Sequence, residues 1–442
     1  LADDPSQLDQ AIVVLRSLSL IQRQAEIDTL SLHRLLQTVL REHMSKQEQM
    51  LWLKRAARAL NAVFPEAIYE VWRQCERLLP HVLAVTASIP YQESDQAVVA
   101  VLRKAAAYLR VRGQYKQAEP LYLRALRIGE QVLEPAHLDM ALSLNGLALL
   151  YEGQGKYEQA EALHQRALHI GELVLGPVHS DLAQLLSGLA MLYWRLGKYE
   201  QAEPLYKQAL SIREEIFGPE HPDITAQLNG LAFLYMEQGK GEQARLLWQR
   251  VLHIWEQTLA TDHPEHIYLR NTQAKRRAEQ EEEQALSIWE QVGAQYPHLA
   301  YPLYGLAVLY AREGNDKQAA SFYWCALHIR DQAMGYDHHE LAYPLSGLAN
   351  LFLKQGKYEQ AESLYQRALH LQEQQFGLQH PEVAQTLYDL AIFYQSQGHV
   401  SEALSFAERA AQIYPQFLGD AHPKTVAALV LYAQLVQETG VS

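Results

Sequence analysis

The sequence predicts an all-α protein, a right-handed superhelix of stacked helix pairs, and three observations carry that prediction. First, Gly-X-Tyr stands at Gly113–Tyr115, Gly155–Tyr157, Gly197–Tyr199 and Gly356–Tyr358, with further glycines in phase at Gly239, Gly314 and Gly398. The successive glycines are 42, 42, 42, 75, 42 and 42 residues apart. Second, the residues between them show helical periodicity on both sides of each glycine. Third, residues 1–112 contain no glycine, so turn chemistry and architecture both change near residue 112. A period this long marks supersecondary units that cannot bury their apolar faces singly and do so by stacking.

The chain has 442 residues, too many for one compact core and ordinary for a solenoid, whose core grows with repeat number. Hydrophobic residues make up 48% and charged residues 20%, as in a folded soluble protein. A net charge of −13 argues against a general nucleic-acid binder. Cys75 and Cys325 are too few and too distant in sequence for a disulfide framework or a CxxC metal site, which fits a reducing cytoplasm. No apolar run approaches the length of a membrane span and no signal peptide is evident. The chain opens on Leu1, so a fragment of something longer is expected.

Taken in order, residues 5–18 read as a helix with Leu8, Ile12, Leu15 and Leu18 on one face. Residues 19–24 and 29–32 read as short strands around a turn at 25–28, a small hairpin, and residues 32–44 as an amphipathic helix. Residues 46–63 and 68–87 read as two more helices split at Phe64-Pro65-Glu66, with Leu79-Pro80 a potential kink. This divides the chain into residues 1–45, a helical connector at 46–93, and the repeat array at 94–442.

One unit runs helix A, tight turn, helix B, loop. In residues 139–172, Leu144, Leu147, Ala148 and Tyr151 share one face of helix A. Gly155 supplies the turn, and Tyr157, Ala160, Leu163, Ala167, Leu168 and Ile170 line helix B. Small Ala160 and Ala167 let helices approach. The segment LNGLALLYEGQGKYEQAEALHQRALHI resembles a tetratricopeptide repeat of the 42-residue variety found in kinesin light chains, and the resemblance covers roughly residues 96–435. The interval of 75 is one unit plus 33 residues. The irregular stretch, residues 262–296, contains AKRRAEQEEEQALSIWEQ. It reads either as a shortened helix pair or as one long helix, and either as a hinge or as a decayed repeat.

Residues 5–90 resemble another arrangement. SLSLIQRQAEIDTLSLHRLLQTVLREHM, then RAARALNAVFPE and WRQCERLLPHVLA, are similar to the segment after the nucleotide-binding module in bacterial STAND ATPases of the NB-ARC plus tetratricopeptide type. That resemblance implies a winged-helix-like remnant at residues 1–45 and an upstream nucleotide-binding domain in the full-length protein. No G-x-x-x-x-G-K-[ST] loop occurs in this chain, so no nucleotide cofactor is expected here.

Seven histidines stand at one phase in the loop before each helix A: His137, His179, His221, His263, His338, His380 and His422. One per unit places neighbours about 10 Å apart, the spacing of packed helices, beyond the roughly 2 Å reach of a shared zinc. A structural role at the helix starts is therefore expected, and no metal. GxSxG, HExxH and glycine-rich phosphate motifs are all missing, so no catalytic residues are assigned and this fragment does not read as an enzyme.

Helix A faces the inside of such a superhelix, and its variable positions line the groove. The candidate ligand-binding residues are Asn145, Gln184, Ser187, Trp194, Arg195, Asn229, Phe233, Tyr301, Tyr304, Arg312, Tyr343, Lys354 and Tyr388. Amides donate and accept at once, which suits a peptide bond. Aromatic rings give contact area at low entropic cost. In resembling proteins, amides at the Asn145 and Asn229 position hold an extended peptide. The expected role is a protein- or peptide-binding sensor module of a STAND-type signalling ATPase. Ligand in the concave groove would relieve autoinhibition of the nucleotide-binding domain. The alternative is an adaptor without a switch.

Overall fold

The computed structural model describes residues 21–24, 29–32, 42–66, 71–262 and 297–439. Strands β1 (Ile21–Gln24) and β2 (Thr29–Leu32) pair antiparallel, Ile21 opposite Leu32. Residues 1–20, 25–28 and 33–41, on which the winged-helix expectation rests, lie outside the described residues.

Two connector helices follow. Helix α1 (Lys46–Val63) starts with a reciprocal capping box, Ser45 bonding the Glu48 amide and Glu48 bonding back. It stops before Phe64-Pro65, as expected, because a residue preceding proline avoids helical backbone. Helix α2 (Trp72–Ala87) runs on through Pro80.

The array then begins. Helices A are α3 (Gln96–Val111), α5 (Leu138–Gly153), α7 (Ser180–Arg195), α9 (Thr225–Glu237), α11 (Ala300–Arg312), α13 (Ala342–Lys354) and α15 (Pro381–Ser396). Their partners B are α4 (Tyr115–Val132), α6 (Tyr157–Val174), α8 (Tyr199–Phe217), α10 (Gly241–Asp262), α12 (Asp316–Met334), α14 (Tyr358–Phe376) and α16 (Val400–Leu418). Helix α17 (Pro423–Thr439) closes the stack.

Each A–B turn needs a left-handed residue. Gly155 has φ 74°, and the next amide, Lys156, reaches back to the Tyr151 carbonyl at 2.8 Å. This is the six-to-one bond that ends a helix on glycine. The loop histidines do what their phase suggests. Nδ1 of His137, His179, His221, His338, His380 and His422 accepts the backbone N–H two residues on, at 3.1–3.3 Å. They act as N-caps, a role that asparagine or serine usually fills. His263 lies outside the described residues.

A second glycine series sets the packing between units. Nine residues before the turn stand Gly146, Gly188, Gly230, Gly305 and Gly347. A Cβ at Gly146 would fall 2.5 Å from the Tyr122 ring, at Gly230 2.4 Å from Tyr206, at Gly305 2.2 Å from Trp248 and at Gly347 2.4 Å from Tyr323. At these four junctions helix B thus drives one ring onto the bare backbone of the next helix A.

That register continues across the irregular interval. Trp248 of α10 seats on Gly305 of α11 as Tyr206 seats on Gly230. Leu228, Val251, Ile254, Leu299 and Leu303 form one buried cluster across the junction. Residues 263–296 lie outside the described residues, but the units flanking them are direct neighbours in the stack. The additional 33 residues therefore fall between α10 and α11.

The array winds far enough to touch itself. Gln375 donates to the Gly113 carbonyl at 2.6 Å, and Tyr115 stacks on Phe376 at 6.4 Å. Phe417 and Pro381 abut Gly155, and His422 abuts Gly197. The turns of the first three units rest on the ends of α14 and α16, the start of α15 and the loop before α17.

Candidate functional site

The inner face carries a ladder of rings, one from each of four successive units. Trp194 of α7 meets Phe233 of α9 at 6.2 Å, Phe233 meets Tyr304 of α11 at 6.3 Å, and Tyr304 meets Tyr343 of α13 at 6.1 Å. Trp248 and Tyr323, the rings that fill the glycine notches, back the ladder from behind at 5.1 and 5.8 Å. The ladder crosses the junction between α10 and α11 without a gap. Its rings are half-buried.

Three polar atoms in and behind the ladder have no hydrogen-bond partner, one of them Nε1 of Trp248 behind Phe233. Asn229 Oδ1, one helical turn from Phe233, is buried and unpaired, and so is Trp194 Nε1. Buried polar groups are normally satisfied, because an unmet one costs about 1–3 kcal/mol. One acceptor, Asn229 Oδ1, and the donor of the ladder's own Trp194 thus stand unmet at the front of the aromatic wall, with Trp248 Nε1 unmet behind it.

Charges gather where the winding brings distant units together. Arg195 at the end of α7 binds Glu382 at the start of α15 at 2.7 Å and lies 3.6 Å from Glu152. Burial alone would raise the Glu382 carboxyl. Arg195, Lys424 and His380 outweigh burial and hold it down at about 2. Tyr343 is pushed well above the usual phenol value by burial and by Glu382. Beside this pair, buried Arg330 lies over the Tyr301 ring at 4.8 Å and 3.7 Å from Glu340, and Tyr301 donates to Glu340 at 3.2 Å. Burial would raise Glu340 as well, and Arg330, His339 and His338 lower it on balance. Burial holds His338 and His380 down at about 4, so both are neutral near pH 7.

Several expected groove residues are engaged elsewhere. Asn145 is buried, its Oδ1 at 2.9 Å from His164 Nδ1, while His164 Nε2 lies 2.7 Å from Glu152. Its amide belongs to a closed internal network because His164 fills the slot that holds a larger ring in other units. Arg312 donates to the Met236 carbonyl at 3.2 Å, and Lys354 to the Ala311 carbonyl at 3.1 Å beside Asp316. Both cations cap the C-terminus of the preceding helix A, where the helix dipole attracts positive charge. Ser187 accepts from Gln227 and donates to the Ala183 carbonyl. Gln184 is exposed and Tyr388 half-buried. Trp194, Arg195, Asn229, Phe233, Tyr301, Tyr304 and Tyr343 are the candidates brought together.

Sequence reasoning missed Glu382, Glu340, Arg330 and Asp389. Arg195 and Glu382 are 187 positions apart, and no local pattern marks such a pair. Asp389 did carry a signal: it occupies the position that is glycine in five other units.

Among the described residues no helix is long and apolar enough to cross a membrane, and no group of three or more His, Cys, Asp or Glu could hold a metal ion. Cys75 and Cys325 are buried and not joined in a disulfide, and burial pushes the Cys75 thiol up to about 11.

Tetratricopeptide repeat profiles match residues 96–172, 182–223, 225–265 and 340–416, together more than half of the chain. A domain of unknown function (DUF7779) matches residues 1–49. No curated protein sequence matches the chain. Among solved structures, a Rap protein complexed with competence and sporulation factor is 13% identical, with a TM-score of 0.52, over 89% of this chain and 98% of its own. NprR in complex with its cognate peptide NprX is 14% identical, with a TM-score of 0.52, over 89% and 98%. A putative kinesin light chain repeat protein of Podosopora anserina is 22% identical, with a TM-score of 0.38, over 49% and 99%.

Proposed function

Since the chain belongs to the tetratricopeptide repeat proteins, we propose that it is a peptide- or protein-binding module whose ligand lies in the lumen of the superhelix. The single observation that carries this is the ladder Trp194–Phe233–Tyr304–Tyr343 with the unmet Asn229 acceptor and Trp194 donor beside it. An extended peptide supplies both missing partners along its backbone and places side chains against the rings. The Rap and NprR structures, bound to their factor and peptide, share the fold over most of this chain and support the reading.

We further propose that the module is the sensor of a STAND-type signalling ATPase. In this reading the segment at residues 1–45 is a winged-helix-like remnant with a β1–β2 hairpin, residues 46–93 are a helical connector, and a nucleotide-binding domain precedes them. The wound array is then the resting state. A ligand that binds a more open array better than the closed one shifts the balance by that difference in affinity alone. No residue of this fragment is assigned a catalytic role.

The test is binding of a random hexapeptide pool, followed by Trp fluorescence and by mass spectrometry of retained peptides. Saturable binding that Asn229→Ala and Phe233→Ala weaken tenfold or more, while Leu173→Ser on the exposed face of α6 leaves it intact, supports the lumen. Binding that follows the helix-B variant instead refutes it. For the switch, the full-length protein should change its nucleotide turnover when a retained peptide is added.

A further inference from the structure

Asp389 breaks the rule that builds the array. In the notch nine residues before the turn, Gly146, Gly188, Gly230, Gly305 and Gly347 admit the residue that the preceding helix B drives into them. The remaining exception besides Asp389 is Lys104 in the first unit, and its ammonium is occupied by the Asn61 and Phe64 carbonyls at the end of α1. The seventh unit presents Asp389 to Tyr365, a fully buried ring that takes the same helix-B position as Tyr323. Packing cannot be the reason for a carboxylate there, because glycine serves five times over.

Nor is Asp389 matched by an arginine. Two other acids at the starts of inner helices, Glu340 and Glu382, each face an arginine. Among the described residues Asp389 makes no ion pair. It accepts one hydrogen bond, from Gln385 at 3.2 Å, and Gln385 in turn accepts from Tyr414 at 3.2 Å. Exposed Lys424 acts on it only from beyond ion-pair distance. Tyr304, Tyr323, Tyr365, Tyr388 and Tyr414 all lie within its electrostatic reach. Tyr304 belongs to the ladder, so the field of the carboxylate reaches the proposed peptide path. Burial has raised it to about 7, which is what a half-buried acid shows when no cation balances it.

We infer that half-buried Asp389, with the half-buried Tyr304 and Tyr388, forms a subsite for a cationic nitrogen of the ligand, a lysine or arginine side chain or a free amino terminus. An ammonium or guanidinium there would pair with the carboxylate in a charge-assisted hydrogen bond. The inference rests on the peptide-binding reading and adds to it the charge of one ligand position.

Positional hexapeptide pools test it, each fixing Lys or Arg, Ala, or Glu at one position, with free or acetylated amino termini. Binding to wild type, Asp389→Asn and Asp389→Gly is compared. Asp389→Gly restores the residue that the fold uses elsewhere, so it should melt no lower than wild type. The expected result is that at one position Lys or Arg pools bind at least tenfold tighter than Ala pools, and that both variants abolish this preference. If acetylation removes the preference instead, the amino terminus is the cation. If pools bind without any preference for positive charge, or the preference survives in both variants, the subsite is refuted while the peptide reading stands. If no pool binds wild type at all, both readings fall.

Discussion

Removing Arg195 should open the wound array without melting its helices. Arg195 joins the third unit to the seventh, at 2.7 Å from Glu382. In Arg195→Ala the Glu382 carboxylate keeps its buried setting and loses the charge that balances it. The gap between the usual carboxylate value and about 2 corresponds to roughly 3 kcal/mol at 1.36 kcal/mol per unit. The side chains of Arg195 and Glu382 are 30% and 18% exposed, so solvent screening trims that figure. The carboxyl is depressed in the closed form. Its contribution is therefore full above pH 4.5 and lost as pH falls toward 2. Small-angle scattering at pH 7 should show a larger radius of gyration in Arg195→Ala, with the circular dichroism of the helices retained. A double-mutant cycle with Glu382→Ala, read by denaturant titration, should give a coupling of about 1–3 kcal/mol. A coupling below about 0.5 kcal/mol, together with unchanged scattering, refutes the claim that this pair holds the two ends together.

Gly146→Ala should destabilise by about 1–3 kcal/mol, because the new methyl falls 2.5 Å from the fully buried Tyr122 ring; an unchanged urea midpoint contradicts the notch. Asn229→Ala should leave stability equal or slightly higher, since it deletes an unmet acceptor, whereas Asn145→Ala should cost about 1–3 kcal/mol by stranding His164; thermal melts separate the two. Stability should fall between pH 6.5 and 4, because burial depresses His338 and His380 and the unfolded chain takes up protons first. His380→Asn, which keeps a cap acceptor, should flatten that slope, and an identical pH profile in the variant counts against the assignment.

Much of the fold was legible in the sequence because its devices are local. The turn glycine, the capping histidine and the small residues of helix B recur at fixed offsets, and each does its work within a few residues. The inner face was legible in part. Phe233, Tyr304 and Tyr343 announce themselves as large rings on helix A. Asn145 did not reveal its burial, because that follows from a histidine standing where a neighbouring unit has tyrosine. Arg312 and Lys354 looked available because a helix C-terminus 43 or 76 positions earlier in the chain is invisible to periodicity. The Arg195–Glu382 pair depends on the superhelix pitch, a sum of small rotations that no single repeat encodes.

Self-contact changes the thermodynamics that repeat arrays usually show. An open solenoid behaves as a one-dimensional chain of coupled units and frays from its tips. Here the Gln375–Gly113 hydrogen bond spans 262 positions, and the Tyr115–Phe376 stack lies beside it. The first unit is thereby held by the connector helices, by its neighbour and by the sixth unit. Contacts of such separation raise contact order, so closing the winding should be the slow step of folding. Amide exchange in α3 and α4 should then track the loss of closure rather than end fraying.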